Sequence, residues 1–209
     1  MTKKHSTKLF AVLIFFVLFC KASAQDTVKD YLHVPGPVTF DSTDYHLIWS
    51  SHPLPDYYKQ EYLAKGDSLE HFNRLVLVDL LFDDSLKPKD LVYQEIRGLE
   101  SRKKFDAVVQ YNLIQSPDST EYVLDFAESE GAPLIKFVEW NAYLYKPYTD
   151  QNGHKGVILL GVSTRSYGNS TADFMGTLPA LREKIIQQLM AYPVPRISVN
   201  AQQSKKGAK

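Results

Sequence analysis

The sequence predicts an α+β fold: an antiparallel β-sheet of about six to seven strands, with a central helix (about 88–104) and a C-terminal helix (about 177–191) packed on it. Three observations lead there. Leu75 to Phe82 is apolar except for Asp79 and holds no glycine or proline, which suits a strand buried on both faces near the sheet centre. Leu91, Val92, Ile96 and Leu99 recur at helical spacing just after Pro88. Four further strand-like segments follow, separated by short polar turns. Such short separations favour antiparallel neighbours, because a parallel crossover needs about a dozen residues or more.

The elements follow in order. Lys3, Lys4 and Lys8, the apolar run Leu9 to Cys20 and the small residues Ala22-Ser23-Ala24 have the three-part form of a secretory signal peptide over residues 1–24. Cleavage is expected after Ala24. The apolar run is too short to span a bilayer, which takes about 20 apolar residues, so no transmembrane segment is expected in the mature chain. Residues 25–42 read as an extended lead-in, where Pro35 and Pro37 exclude helix and permit at most an edge strand. A single α+β domain is expected over 43–200.

Tyr45-His46-Leu47-Ile48-Trp49 is the first strand, ended by Pro53 and Pro55. Tyr57 to Leu63 fits either helical spacing or alternation; a strand is the preferred reading, with Lys65-Gly66-Asp67-Ser68 as a turn. After the buried strand, Pro88 fits a helix's opening turn. Asp90 near the start of this helix and Arg102, Lys103 and Lys104 near its end complement its dipole. The later strands are expected over 107–115, 121–127, 135–145 and 156–166, with Asn152-Gly153 as the clearest hairpin signal. Leu181, Ile185 and Leu189 mark the last helix. Gly176 and Pro179 are expected to kink it or delay its start, with Thr177 as cap. Residues 201–209 have no large apolar side chain and read as a disordered basic tail. This element order is similar to that of PsbP-like domains, a resemblance that implies a fold and transfers no residue role.

The formal charge is zero over the whole chain, with 24 basic and 24 acidic residues. Loss of Lys3, Lys4, Lys8 and Lys21 with the leader leaves 20 basic residues, and setting aside Lys205, Lys206 and Lys209 leaves a body of net −7. An acidic body lacks the footprint that phosphate backbones require, so no nucleic acid partner is expected. The only cysteine, Cys20, lies in the leader, so the mature chain has neither a disulfide nor a cysteine ligand. Phe19 before it is too bulky for a lipoprotein signal.

No cofactor motif is present. His33, His46, His52, His71 and His154 show no metal-ligand spacing, so no metal site is expected. Gly161-Val162-Ser163 lacks the second glycine of a nucleophile elbow. Gly153-His154-Lys155-Gly156 is a hairpin turn rather than a phosphate loop. Asp79, Asp125 and Glu139 each interrupt an apolar strand. They are read as lying on the wet face of a half-exposed sheet, with acid–base chemistry on a glycan as the alternative. Arg165 is the expected cross-strand partner of one of them.

Trp140, Tyr143, Tyr145 and Tyr148 crowd one strand and its exit. By alternation Trp140 faces one side and Tyr143 and Tyr145 the other. They are either core or, with Arg165, a ring-bearing binding surface. Asp26-Thr27-Val28, Asp41-Ser42-Thr43, Asp67-Ser68-Leu69, Asp84-Ser85-Leu86 and Asp118-Ser119-Thr120 resemble a three-residue O-glycosylation acceptor; Asp-Ser is also ordinary turn chemistry.

The expectation is an exported, periplasmic or secreted, non-catalytic domain that needs no cofactor and binds a protein or envelope component. The competing class is an exported glycosidase-like hydrolase using the strand carboxylates.

Overall fold

The computed structural model describes residues 28–199 apart from 35, 132 and 133. The expected leader (1–24) and basic tail (201–209) lie outside the described residues, as do Asp26 and Thr27 of the first Asp-hydroxyl triplet. The elements are β1 (Val38–Phe40), β2 (Thr43–Leu54), β3 (Tyr57–Ala64), β4 (Arg74–Phe82), α1 (Pro88–Arg102), β5 (Gln110–Gln115), β6 (Tyr122–Glu130), β7 (Phe137–Thr149), β8 (Lys155–Tyr167) and α2 (Thr171–Ala191). All eight strands form one curled antiparallel sheet in the order β1-β2-β3-β4-β8-β7-β6-β5.

The antiparallel α+β architecture is as the sequence predicts, but the sheet has eight strands rather than six to seven. The additional strand, β1, has three residues, between Pro37 and a turn in which Asp41 and Ser42 both take positive φ. Three residues are too few to show alternation in a sequence. β1 is nevertheless well packed: Val38 and Phe40 join Leu32 and Val34 in the main core. β2 also runs past its expected end to Leu54, through Pro53. Two register shifts against β3, between Leu47 and Trp49 and between Ser51 and Leu54, accommodate the irregular stretch.

α1 starts at Pro88, and Asp90 accepts a hydrogen bond from the Lys87 backbone N–H at 3.0 Å. Its buried face is Val92 and Leu99. β5 starts at Gln110 rather than 107, because Asp106 turns the chain by accepting from the Val108 and Ser129 backbone N–H groups. α2 starts at Thr171 rather than 177. Pro179 sits inside it with its side chain exposed, so the carbonyl left without a donor is on the solvent side. Thr177 is not its cap; its Oγ1 donates to the Phe174 carbonyl.

The two helices lie on opposite faces. Ile185, Ile186 and Leu189 of α2 cover Val76, Val78, Leu160, Val162, Ala142 and Leu144, with Trp140 beneath. Val92 and Leu99 of α1 cover Leu124, Phe126 and Tyr145. Leu77 lies on β4, an interior strand with β3 and β8 on either side, and is 9% exposed. No described helix is long and apolar enough to cross a membrane.

Candidate binding groove on the α1 face

Strand register dictates which side chains share the α1 face. Glu61 pairs with Leu77, Leu77 with Gly161 and Gly161 with Tyr143, which makes one row. Two residues along, Lys59, Asp79, Leu159 and Tyr145 make the next. α1 packs chiefly over β5, β6 and β7. The segment after β3 brings Phe72 down onto Leu63, Leu75 and Leu77. Between these two covers runs a groove. The half-buried side chains between them are Lys59, Glu61, Leu159 and Tyr143, with Leu77 and Asp79 buried beneath, and Glu95 of α1 is half-buried within range of the Lys59 charge. Gly161 makes this packing possible. A Cβ there would lie 2.6 Å from Leu77 Cγ and 2.8 Å from Tyr143 Cδ1, so Leu77 and Tyr143 meet across a position with no side chain.

The groove is rich in half-buried carboxyl groups. Burial pushes Glu61 up to about 7; nearby Asp79 and Glu139 push the same way, and Lys59 and Arg165 oppose them. Glu128 on β6 is likewise pushed up to about 7 by burial against the pull of Arg102, with Glu139, Glu95 and Asp106 adding to the rise. Burial raises Glu95, with Lys59 opposing. Asp79 is also raised by burial, although Lys59 Nζ lies 3.7 Å away and the Tyr57 hydroxyl donates to its Oδ2 at 2.9 Å. Its Oδ1 is buried and accepts no hydrogen bond. Glu61 and Glu95 form no ion pair and no side-chain hydrogen bond among the described residues.

The other end of the groove is occupied by paired charges. Arg165 donates to Glu139, and its guanidinium is held between the rings of Phe72 and Phe137 at 4.2 and 4.3 Å. Arg102 reaches Asp106 at 3.0 Å and Glu128 at 3.3 Å.

The residues singled out from sequence fall in different places. Asp79 and Glu139 share the α1 face, and Arg165 is the cross-strand partner of Glu139. Asp125 is on the opposite face, where it accepts from Arg182 of α2 and from Trp140 Nε1 at 3.3 Å. The wet-face expectation is corrected for all three carboxylates. Each is buried, because α2 covers one face and the groove walls close on the other. The rings divide as alternation requires. Trp140 and Tyr145 are 1% and 2% exposed and present no surface to a partner. Tyr148 is half-buried on the α2 side, edge-on to Phe82 at 6.1 Å. Tyr143 alone of the four lines the groove.

Sequence reasoning missed Glu61, Glu95 and Glu128. One signal was available: Glu95 falls in the apolar stripe of its helix, between Val92 and Leu99.

Among the described residues no three His, Cys, Asp or Glu side chains converge as a metal site. Two cavities of about 260 and 220 Å³ lie elsewhere. One is beside Val34, Val38 and Tyr192, the other beside Tyr58, Phe82 and Asp150. No curated protein matches the sequence. A protein-family model matches residues 32–194, from buried Leu32 through both helices and the whole sheet, and the chain therefore belongs to that family, one of uncharacterised function.

Proposed function

We propose that this chain is an exported, non-catalytic domain that binds a protein or envelope component in the α1-face groove. The observation that carries the binding site is the pair Glu61 and Glu95: two half-buried carboxyl groups without a cation in contact, on the same face as half-buried Leu159 and Tyr143. Burying such groups costs free energy, and a ligand that satisfies them recovers it. Export is supported by the basic start, apolar run and Ala22-Ser23-Ala24 of the leader.

Two measurements test this. Mass spectrometry of the native protein is expected to find Gln25 at its N-terminus; an intact Met1 or a lipidated Cys20 overturns export. Affinity capture from the native envelope is expected to retain a component on the wild type and lose it on Glu61→Lys at unchanged melting temperature. Equal capture by both overturns the groove as the site.

A second reading has one specific observation in its favour. A carboxyl held near 7 suits a general acid, and Glu61 lies near Asp79 and Glu139 on the same face. An exported glycosidase-like hydrolase would use these groups, with Asp125 excluded by its place under α2. Turnover of aryl glycosides that is abolished by Glu61→Gln supports this reading over pure binding.

A further inference from the structure

The cavity of about 220 Å³ lies where β4 ends against the β7–β8 hairpin. There the Asp83 backbone N–H donates to the Lys155 carbonyl at 3.0 Å, and the Lys155 N–H donates to Asp84 Oδ1 at 3.2 Å. Its wall carries rings. Tyr58 and Phe82 meet edge to face with centroids 6.4 Å apart, and His154 meets Phe82 edge-on at 6.2 Å. His52 stacks on Tyr58 at 4.3 Å and holds that ring in place. The same space is lined by the carboxylates of Asp56, Asp83, Asp84 and Asp150, against one lysine, Lys155. His154 Nδ1 answers Asp150 at 2.8 Å. Asp56 and Asp84 are exposed and have no ion pair among the described residues.

The chain shows elsewhere what fills such a setting: Arg165 lies between the rings of Phe72 and Phe137 and donates to Glu139. A guanidinium is planar and weakly hydrated, so it rests on rings and donates to carboxylates at once. This cavity offers the same rings and acids, and no arginine of the chain lines it among the described residues. It is smaller than the roughly 300–1,000 Å³ of small-molecule sites and suits a single side chain. No three acids here converge as a metal site among the described residues. We infer that this cavity is a second binding site, independent of the α1-face groove, and takes an arginine side chain of a protein partner. The guanidinium lies against Phe82, with its N–H groups donated to Asp56 and Asp84.

The test is titration of the full chain, followed by NMR of the Tyr58 and Phe82 ring signals, with N-acetyl-arginine amide, its uncharged citrulline analogue, N-acetyl-lysine amide and calcium chloride. The arginine amide is expected to shift these signals and to bind at least about tenfold tighter than the citrulline analogue, and tighter than the lysine amide. Asp56→Asn combined with Asp84→Asn is expected to weaken it about tenfold at an unchanged urea midpoint, and Glu61→Lys to leave it unchanged. If the citrulline analogue binds as tightly, the charge is overturned; if the lysine amide binds more tightly, the guanidinium is. Calcium that shifts the rings at lower concentration makes this a metal site and overturns the proposal. Val199 also lines the cavity, and the lysines of residues 201–209 follow it in the chain. If the arginine amide binds only when Lys205→Gln, Lys206→Gln and Lys209→Gln are combined in the full chain, the chain's own lysines are the occupant and the partner is overturned. If no probe shifts the rings in either chain, the cavity is overturned as a site, while the α1-face groove stands or falls on its own capture experiment.

Discussion

Arg182 on α2 donates two hydrogen bonds to Asp125 on β6, from Nε to Oδ1 at 2.5 Å and from Nη2 to Oδ2 at 2.8 Å. The two ends are unequally placed: the Asp125 side chain is 3% exposed and that of Arg182 34%. Arg182→Ala leaves a buried carboxylate under the helix with no counter-charge and only the Trp140 Nε1 donor at 3.3 Å, whereas Asp125→Ala leaves a guanidinium that reaches water. Arg182→Ala is therefore expected to cost about 3–5 kcal/mol, and Asp125→Ala less. Urea unfolding of the two single variants and the double variant checks this. Equal losses would show that Asp125 finds another cation or is protonated once Arg182 is gone.

Asp41 ties the β1–β2 turn to α2. Gln188 donates to its Oδ1 at 2.9 Å, and Lys184 and Arg74 donate to Oδ2 at 2.9 and 3.0 Å. The Gln188 and Lys184 bonds, with that from Arg74, hold its carboxyl well below the usual range. A depressed carboxyl stabilises the fold above its unfolded pKa, and the gain is lost as pH falls through the folded value. The advantage of the wild type over Asp41→Asn is thus expected to be constant above about pH 5 and to shrink steadily below about pH 4. Denaturation midpoints between pH 6 and 2 measure it; a gap that does not change with pH would refute the linkage.

Glu61 has the opposite sign. Its folded pKa is raised to about 7 by burial from an ordinary value of 4.5. Between those values the folded state holds more protons than the unfolded one, so stability falls as pH rises. The ligand-free protein is expected to be more stable at pH 5 than at pH 8, with Glu61 contributing on the order of 2 kcal/mol. Glu61→Gln should flatten that slope, leaving the part due to Glu128. Chemical denaturation at the two pH values reads this directly.

Two glycines on β8 differ in what surrounds them. A Cβ on Gly156 would sit 2.1 Å from the Leu81 backbone carbonyl oxygen, so β4 and β8 must part. At Gly161 the obstacles are the side chains of Leu77 and Tyr143, which can rotate. Gly161→Ala is expected to cost about 1–3 kcal/mol, typical of overpacking, and Gly156→Ala more. Thermal unfolding of the two variants ranks them.

Much of this fold was legible because its signals are local. The apolar run of β4, the Pro88 start of α1 and the Asn152-Gly153 hairpin act within a few residues. What was not legible depends on which face each helix covers. Asp125 and Asp79 look alike in sequence, each a lone acid in an apolar strand. Only the placement of α2 makes one a structural anchor, and only the register of β3 against β4 puts the other beside Glu61. Glu61 itself lay in a segment that fitted two periods, so its face was undefined. Arg165 was legible as a cross-strand partner, here of Glu139. The rings that clamp it, Phe72 and Phe137, come from distant parts of the chain.

The strand order 1-2-3-4-8-7-6-5 makes the sheet two meanders, each built from neighbouring hairpins, joined by the single β4–β8 seam. Across that seam Leu77 meets Gly161, 84 positions away. Closing so long a loop carries an entropic cost that no local contact offsets, so folding is expected to wait on this pairing. Until it forms, β4 and β8 are both open edges, and β4 is the most apolar of the described strands. A chain that reaches this stage slowly meets its greatest risk of self-association in that interval, at Leu75 to Phe82.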